Sequence, residues 1–232
     1  MEGFQKIYPF TTETISGYIT KMDIKDKTVL TLGSSCDQAL NSLLLGAKDV
    51  TIFDINEQVK NFYELKRKLI LSTSREDLRE KLINELNSKD FLYFNEIFLN
   101  DSLIKMNLYL QNDENYNKLR NILKEKKINF IVGDIFNVTE YSKLNQKYDR
   151  VILSNVLDYL PTDLDKSKKV FDIYKGLSQH LNEGSLIQLY YLYGTLFSND
   201  FIKVVNRFLD YNILFEKIPC DEEDSAIFVK KK

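Results

Sequence analysis

Apolar residues recur along this chain with two different periods, and the alternation of those periods predicts its architecture. Short runs rich in β-branched and aromatic residues read as strands: "TVLTLG" (28–33), "DVTIFD" (49–54), "INFIVGD" (128–134), "YDRVILS" (148–154), "SLIQLYYLY" (185–193), "NILFEKI" (212–218) and "SAIFVKK" (225–231). Between them lie segments whose apolar residues fall three and four apart, the spacing of one helix face. Residues 36–47 form one, closed by Gly46 at the position of a helix C-terminal glycine. Residues 56–72 form another, with Val59, Phe62, Tyr63, Leu65 and Leu69 on the apolar side, and 74–88 a third, started by Ser74 with an acidic first turn. Helices over 113–127, 163–181 and 198–210 are expected as well. A short leading helix carries Ile15, Tyr18, Ile19 and Met22 at helical spacing, with Thr11 or Thr12 as its cap.

Strands alternating with helices predict an α/β fold: a doubly wound, mostly parallel seven-stranded sheet with helices on both faces. The polar, acidic "PCDEED" between the last two strands predicts an antiparallel hairpin at the sheet edge. The stretch from 56 to 127 is long for a strand-to-strand connection, and 90–111 is aromatic and irregular. Residues 73–127 are therefore expected to form a helical insertion. With only three prolines and eight glycines there is no evident linker, so residues 1–232 are expected to form a single domain, with residues 1–24 as a leading lid segment.

Composition narrows the partners. The formal net charge of −2 is spread along the 232 residues, with no basic block to grip nucleic acid or an anionic membrane. A small molecule, rather than nucleic acid or a membrane, is the expected partner, and oligomeric state is left open. Cys36 and Cys220 lack metal-ligand spacing, and His180 is the only histidine, so neither zinc nor a disulfide is expected and a reducing cytoplasm is the default. No apolar run approaches the ~20 residues of a membrane span.

In doubly wound sheets, ligands sit at the carboxyl ends of the strands. The first strand ends in "GSSCDQAL", a small-residue turn into a helix, the layout of a nucleotide-cofactor loop. A pyrophosphate needs glycine for close backbone approach, yet Ser35 takes that place and Asp37 adds a negative charge. The loop suits a cofactor without phosphate and with a cationic end, which Asp37 would attract. Asp54 follows Gly33 by about 20 residues, the separation at which a strand-two carboxylate accepts ribose hydroxyls. Asp134, closing "VGD", is placed to receive an adenine amino group with Ile135 or Phe136 on the ring. The plainer alternative for all three acids is capping at strand–helix junctions.

These segments resemble a family. "TVLTLGSSCDQAL", "TIFDIN", "VGD" and "YDRVILSNVLDYL" are similar, in order, to the motifs of class I S-adenosylmethionine-dependent methyltransferases, which are Rossmann-like. Within that fold, "DINEQVKNFYELK" and "LSNVLDYL" resemble the betaine-lipid-type enzymes that transfer a 3-amino-3-carboxypropyl group, matching at Asp54, Asn56, Glu64, Leu65 and Lys66. The first motif keeps only Gly33, and the chain lacks the additional length of those lipid enzymes. The resemblance implies S-adenosylmethionine as cofactor, with Gly33, Ser35 and Asp37 on its methionine side. It implies Asp54 and Ile55 at the ribose, Asp134 and Ile135 at the adenine, and Ser154 and Asn155 beneath the sulfonium. Asp158 and Tyr159 would orient the acceptor as catalytic residues, and Tyr8 and Thr11 would close over the cofactor's amino-acid end. Methyl transfer is the expected reaction, aminocarboxypropyl transfer the alternative. A non-catalytic cofactor-binding module is a third reading.

Overall fold

The computed structural model describes residues 7–86, 100–160, 163–194 and 215–231. β1 (Thr28–Thr31), β2 (Asp49–Asp54), β3 (Asn129–Val132), β4 (Tyr148–Ile152), β5 (Leu181–Leu192), β6 (Phe215–Pro219) and β7 (Ser225–Lys230) form one seven-stranded sheet of order β3-β2-β1-β4-β5-β7-β6. The first five pair in parallel. β7 runs antiparallel to β6, as the acidic turn predicts, and antiparallel to β5 as well. Strand order reverses between β1 and β4, opening a crevice at their carboxyl ends.

Helices cover both faces: α1 (Ile15–Ile19), α2 (Asp37–Leu44), α3 (Val59–Ser72), α4 (Arg75–Leu86), α5 (Asn100–Met106), α6 (Asp113–Glu125) and α7 (Asp163–Leu177). Successive strand residues point to opposite faces, and both faces are apolar. Val29, Ile52 and Ile152 join the core beneath α1 to α6, while Leu30, Phe53 and Val151 join the one beneath α7. The described helices of the 73–127 stretch bury Leu78, Leu103, Tyr116 and Leu119 in the same cluster as β1 and β2. They thicken one layer of the domain.

Several element ends differ from the sequence expectation for local reasons. The second long helix starts at Val59, three residues later than expected, because Asp54 and Asn56 fold the chain into side-chain turns: Asn56 N–H donates to Asp54 Oδ1 (2.8 Å) and Gln58 N–H to Asn56 Oδ1 (3.0 Å). The leading helix is a single five-residue piece followed by a 3-10 turn (Thr20–Met22). Its N-cap position is Thr14, without a side-chain cap, because the hydroxyls of Thr11 and Thr12 are used elsewhere. The helix expected over 163–181 ends at Leu177, and β5 begins at Leu181, four residues early. Gly46 closes α2 as expected, in the left-handed region (φ +87°), with Ala47 N–H on the Ser42 carbonyl and Gly46 N–H on that of Leu43. The helix expected over 198–210 and residues 90–99 lie outside the described residues. No described helix is long and apolar enough to cross a membrane, and both cysteines are buried free thiols.

One buried ion pair fastens these layers together. Lys66 on α3 and Asp37 at the start of α2 are both fully buried, Nζ to Oδ1 2.6 Å. Lys66 Nζ also donates to the carbonyls of Pro9 (2.8 Å) and Ser35 (3.0 Å) and lies 4.5 Å from the centre of the Phe10 ring. Asp37 accepts in addition from Tyr109 Oη (2.7 Å) and the Thr11 N–H (2.6 Å). Removing one partner of a buried pair leaves an uncompensated charge, at a cost of about 3–5 kcal/mol. Lys66→Met is therefore expected to lower unfolding free energy by that amount in urea titrations at pH 7. A loss below about 1 kcal/mol, the range of a surface pair, would show that Asp37 is not held charged by Lys66.

Candidate cofactor site

The crevice holds a cavity of about 550 Å³ at the carboxyl ends of β1, β2, β3 and β4. Its walls come from four consecutive strand ends: Leu32 and Ser34; Phe53 to Asn56; Gly133 to Phe136; and Ser154, Asn155, Val156 and Tyr159. None of these lining residues is basic.

The turn after β1 takes a glycine-like shape with little glycine. Ser34 (φ +37°) and Cys36 (φ +64°) are left-handed, and Cys36 N–H closes the turn on the Gly33 carbonyl (2.6 Å). Left-handed non-glycine residues cost about 1–3 kcal/mol each and persist where the surroundings fix them. Gly33 itself is required by contact: a Cβ there would lie 2.4 Å from Val59 and 2.8 Å from Asp54 Oδ2. The turn is held against Asp54, whose Oδ2 accepts from the Gly33 N–H (2.8 Å) and the Ser34 N–H (3.3 Å). With Asn56 on Oδ1, three of about four carboxylate lone-pair sites are used, leaving Oδ1 a further acceptor position. The spacing of Gly33 and Asp54 thus reflects a bond between them.

At the end of β3, Asp134 Oδ1 accepts from the Phe136 N–H (2.8 Å), while Oδ2 has no bond to a described residue. The Tyr141 hydroxyl donates to the Ile135 carbonyl (2.6 Å), fixing the turn that carries Ile135 and Phe136 into the cavity. Gly133 is pressed against the Phe53 ring, 2.3 Å from where a Cβ would sit. Ile55 stands on the rim, 69% exposed.

Beneath the cavity, Ser154 is left-handed (φ +59°), and its N–H donates to Gln188 Oε1 (2.7 Å). Its hydroxyl donates to Glu13, an acid in the leading segment that sequence reasoning passed over. Glu13 is 1% exposed and also accepts from the Tyr18 hydroxyl (3.0 Å), Gln38 Nε2 (3.4 Å) and the backbone of Asn155. Burial without a cationic partner pushes its carboxyl from the usual carboxylate range up to about 7. A lone acid amid "TTETIS" looks like a solvated surface residue; only the apolar positions on either side, Phe10 and Ile15, hint at enclosure.

The structure does not bring all the sequence-derived residues into the cavity. Asp54, Ile55, Asp134, Ile135, Ser154, Asn155 and Tyr159 line it, and Gly33 shapes it from behind. Ser35 and Asp37 do not line it: Ser35 is fully buried, and Asp37 is consumed by Lys66, Tyr109 and Thr11, so its charge is compensated inside the protein. Thr11 is buried on Asp37 as well. Tyr8 is hydrogen-bonded to Tyr159, which connects the leading segment to the cavity wall. Asp158 is exposed beside that wall and accepts from the Tyr190 hydroxyl. Among the described residues no group of three or more His, Cys, Asp or Glu is placed to hold a metal ion.

No protein-family profile matches the sequence, and no curated protein matches it. Solved structures do. A methyltransferase from Pyrococcus furiosus aligns over 100% of this chain and 88% of its own, with TM-score 0.54 and 10% identity. The fibrillarin pre-rRNA processing protein of Methanococcus jannaschii covers 95% of this chain and 75% of its own, at 0.51 and 11%. A ribosomal-protein methylase from Lactobacillus delbrueckii subsp. bulgaricus covers 94% and 77%, at 0.50 and 14%. At these identities the likeness is one of fold: the chain has the Rossmann-like fold of solved methyltransferases.

The raised Glu13 carboxyl has a consequence for stability. A neutral buried acid costs nothing below its unfolded value of 4.5, and the penalty grows as pH rises toward about 7. Glu13→Gln, neutral throughout, is therefore expected to gain on the wild type by up to about 3 kcal/mol at pH 8 while changing little at pH 4.5. Urea unfolding at the two pH values checks this; a difference independent of pH would contradict it.

Proposed function

We propose that this protein is an S-adenosylmethionine-dependent methyltransferase acting on a small-molecule acceptor. The observation that carries this reading is the lining of the cavity. Two carboxylates with free acceptor positions, Asp54 and Asp134, flank an apolar slot of Phe53, Ile135, Phe136 and Val156, and no basic residue stands among the described lining residues. A phosphate-bearing cofactor would meet two carboxylates and no cation among the described lining residues, whereas an uncharged adenosine with a cationic tail fits the same acceptors and walls.

In this reading Asp54 Oδ1 accepts a ribose hydroxyl and Asp134 Oδ2 the adenine amino group, while Ile135, Phe136 and Val156 pack on the ring. Ser154 and Asn155 form the floor beneath the reacting end. When bound, S-adenosylmethionine supplies an electrophilic carbon on a positively charged sulfur, with a neutral thioether as leaving group. The protein's part is then to hold and orient the two reactants. Tyr159, 63% exposed on the wall and tied to Tyr8, and Asp158, held by Tyr190, are placed to orient the acceptor. An acceptor amine that binds deprotonated needs no further base, whereas a hydroxyl acceptor would call on Asp158.

Transfer of the 3-amino-3-carboxypropyl arm is the second reading, favoured by the "DINEQVKNFYELK" segment. Two of its matched residues have architectural partners here: Asp54 holds the β1 turn and Lys66 holds Asp37. They build the pocket whichever carbon reacts.

Calorimetric titration with S-adenosylmethionine is expected to show binding that Asp54→Ala weakens at least about tenfold, the loss of a hydrogen bond to a charged group plus loop anchoring. Unchanged affinity in a folded variant would remove Asp54 from the site. In turnover with an acceptor, S-adenosylhomocysteine as product supports methyl transfer and methylthioadenosine supports the second reading.

A further inference from the structure

We infer that Glu13 is the counter-charge that makes this cavity prefer a cationic cofactor over its neutral product, acting as a positioning residue through Ser154 and Asn155. The inference rests on the S-adenosylmethionine reading and deepens it. Two lining residues, Ser154 and Asn155, both donate to one buried carboxylate, so Glu13 stands one hydrogen bond behind the cavity floor. Its remaining donors are Tyr18 and Gln38, and no basic side chain is bonded to it among the described residues. Gln38 Oε1, in the same cluster, is buried without a partner. The floor therefore has an excess of acceptors and lacks one positive charge.

The titratable groups facing Glu13 do not supply that charge. Tyr18 on α1, Tyr193 just after β5 and Cys220 beside the β6–β7 turn all feel the Glu13 charge, and burial keeps each of them protonated. Asp158 and Asp224, beyond Tyr193, add only negative charge. Asp37, which Thr11 bonds two residues before Glu13, is already neutralised by Lys66. A sulfonium placed above Ser154 would favour the ionised form of Glu13, and an uncharged sulfur would not. Binding of the cation is then linked to release of the Glu13 proton, whereas binding of the neutral product is not. The same bias would help the product leave.

The test is calorimetry on the full chain at pH 6.5, below the α-amino range of about 7.7–8.0, in two buffers of different ionisation enthalpy. S-adenosylmethionine is expected to release about half a proton or more on binding, and S-adenosylhomocysteine none. The wild-type affinity ratio of the two ligands is expected to rise about fivefold or more from pH 6 to pH 7.5. In Glu13→Gln both effects vanish. The wild-type comparison stands by itself should that variant fail to fold. If both ligands bind the wild type with equal proton release and a pH-independent ratio, Glu13 is not the counter-charge and the cofactor reading survives. If neither ligand binds at any pH, the cofactor reading fails and this inference with it.

Discussion

The Asp37–Lys66 pair is the constraint on which the cavity depends. Two charges fully removed from water carry a desolvation cost of several kcal/mol per ion, and they are tolerated because their remaining valences are filled. Lys66 has three oxygen partners and an aromatic face; Asp37 has a hydroxyl and a backbone N–H besides the ammonium. Those partners come from the leading segment, the β1 turn, α3 and the stretch around Tyr109. A single electrostatic knot thus fixes the mutual position of four chain segments, and it grips the β1 turn at the Ser35 carbonyl, between the left-handed Ser34 and Cys36.

How much of this was legible in the sequence depends on whether the cause is local. Strand positions were, because a pleated, doubly buried strand leaves a short apolar run, and β2 matches its expected limits residue for residue. The strand ends gathered Asp54, Asp134, Ser154 and Asn155 as the topology requires. Asp37 was legible as important but not in its role, since its partner lies 29 residues away on another helix. A clue was present: Lys66 falls on the apolar stripe of α3, between Phe62 and Tyr63 on one side and Leu69 and Ile70 on the other, where a lysine needs a buried partner. Glu13 left almost no signal, because its distant partners come from α2 and from the turns that follow β4 and β5, which no local pattern connects to it.

The carboxylates around the cavity illustrate how one side chain type is given different duties by its surroundings. Asp54 is anchored by backbone N–H groups and is at once architecture and acceptor. Asp134 spends one oxygen on its own turn and keeps the other. Glu13 has hydrogen bonds but no cation, and burial raises its carboxyl above the usual carboxylate range. Stabilising a positive ligand does not require each acid to touch it; in a water-poor floor, a charge one hydrogen bond away still acts.

The leading segment reaches its partners only across great sequence distances. Thr12 meets Tyr193, the Thr14 N–H meets the Tyr191 hydroxyl, and the Thr14 hydroxyl meets Asp221 beyond β6 (2.5 Å), while Gly17 packs directly on the Cys220 backbone. On the ribosome these first residues emerge long before the C-terminal hairpin that receives them exists. The contacts of Thr12, Thr14 and Gly17 therefore form only after the stretch from Tyr191 to Asp221 has been made, so the leading segment gains its last anchors late, on a sheet whose β1 turn already holds Pro9 and Thr11 through Lys66 and Asp37.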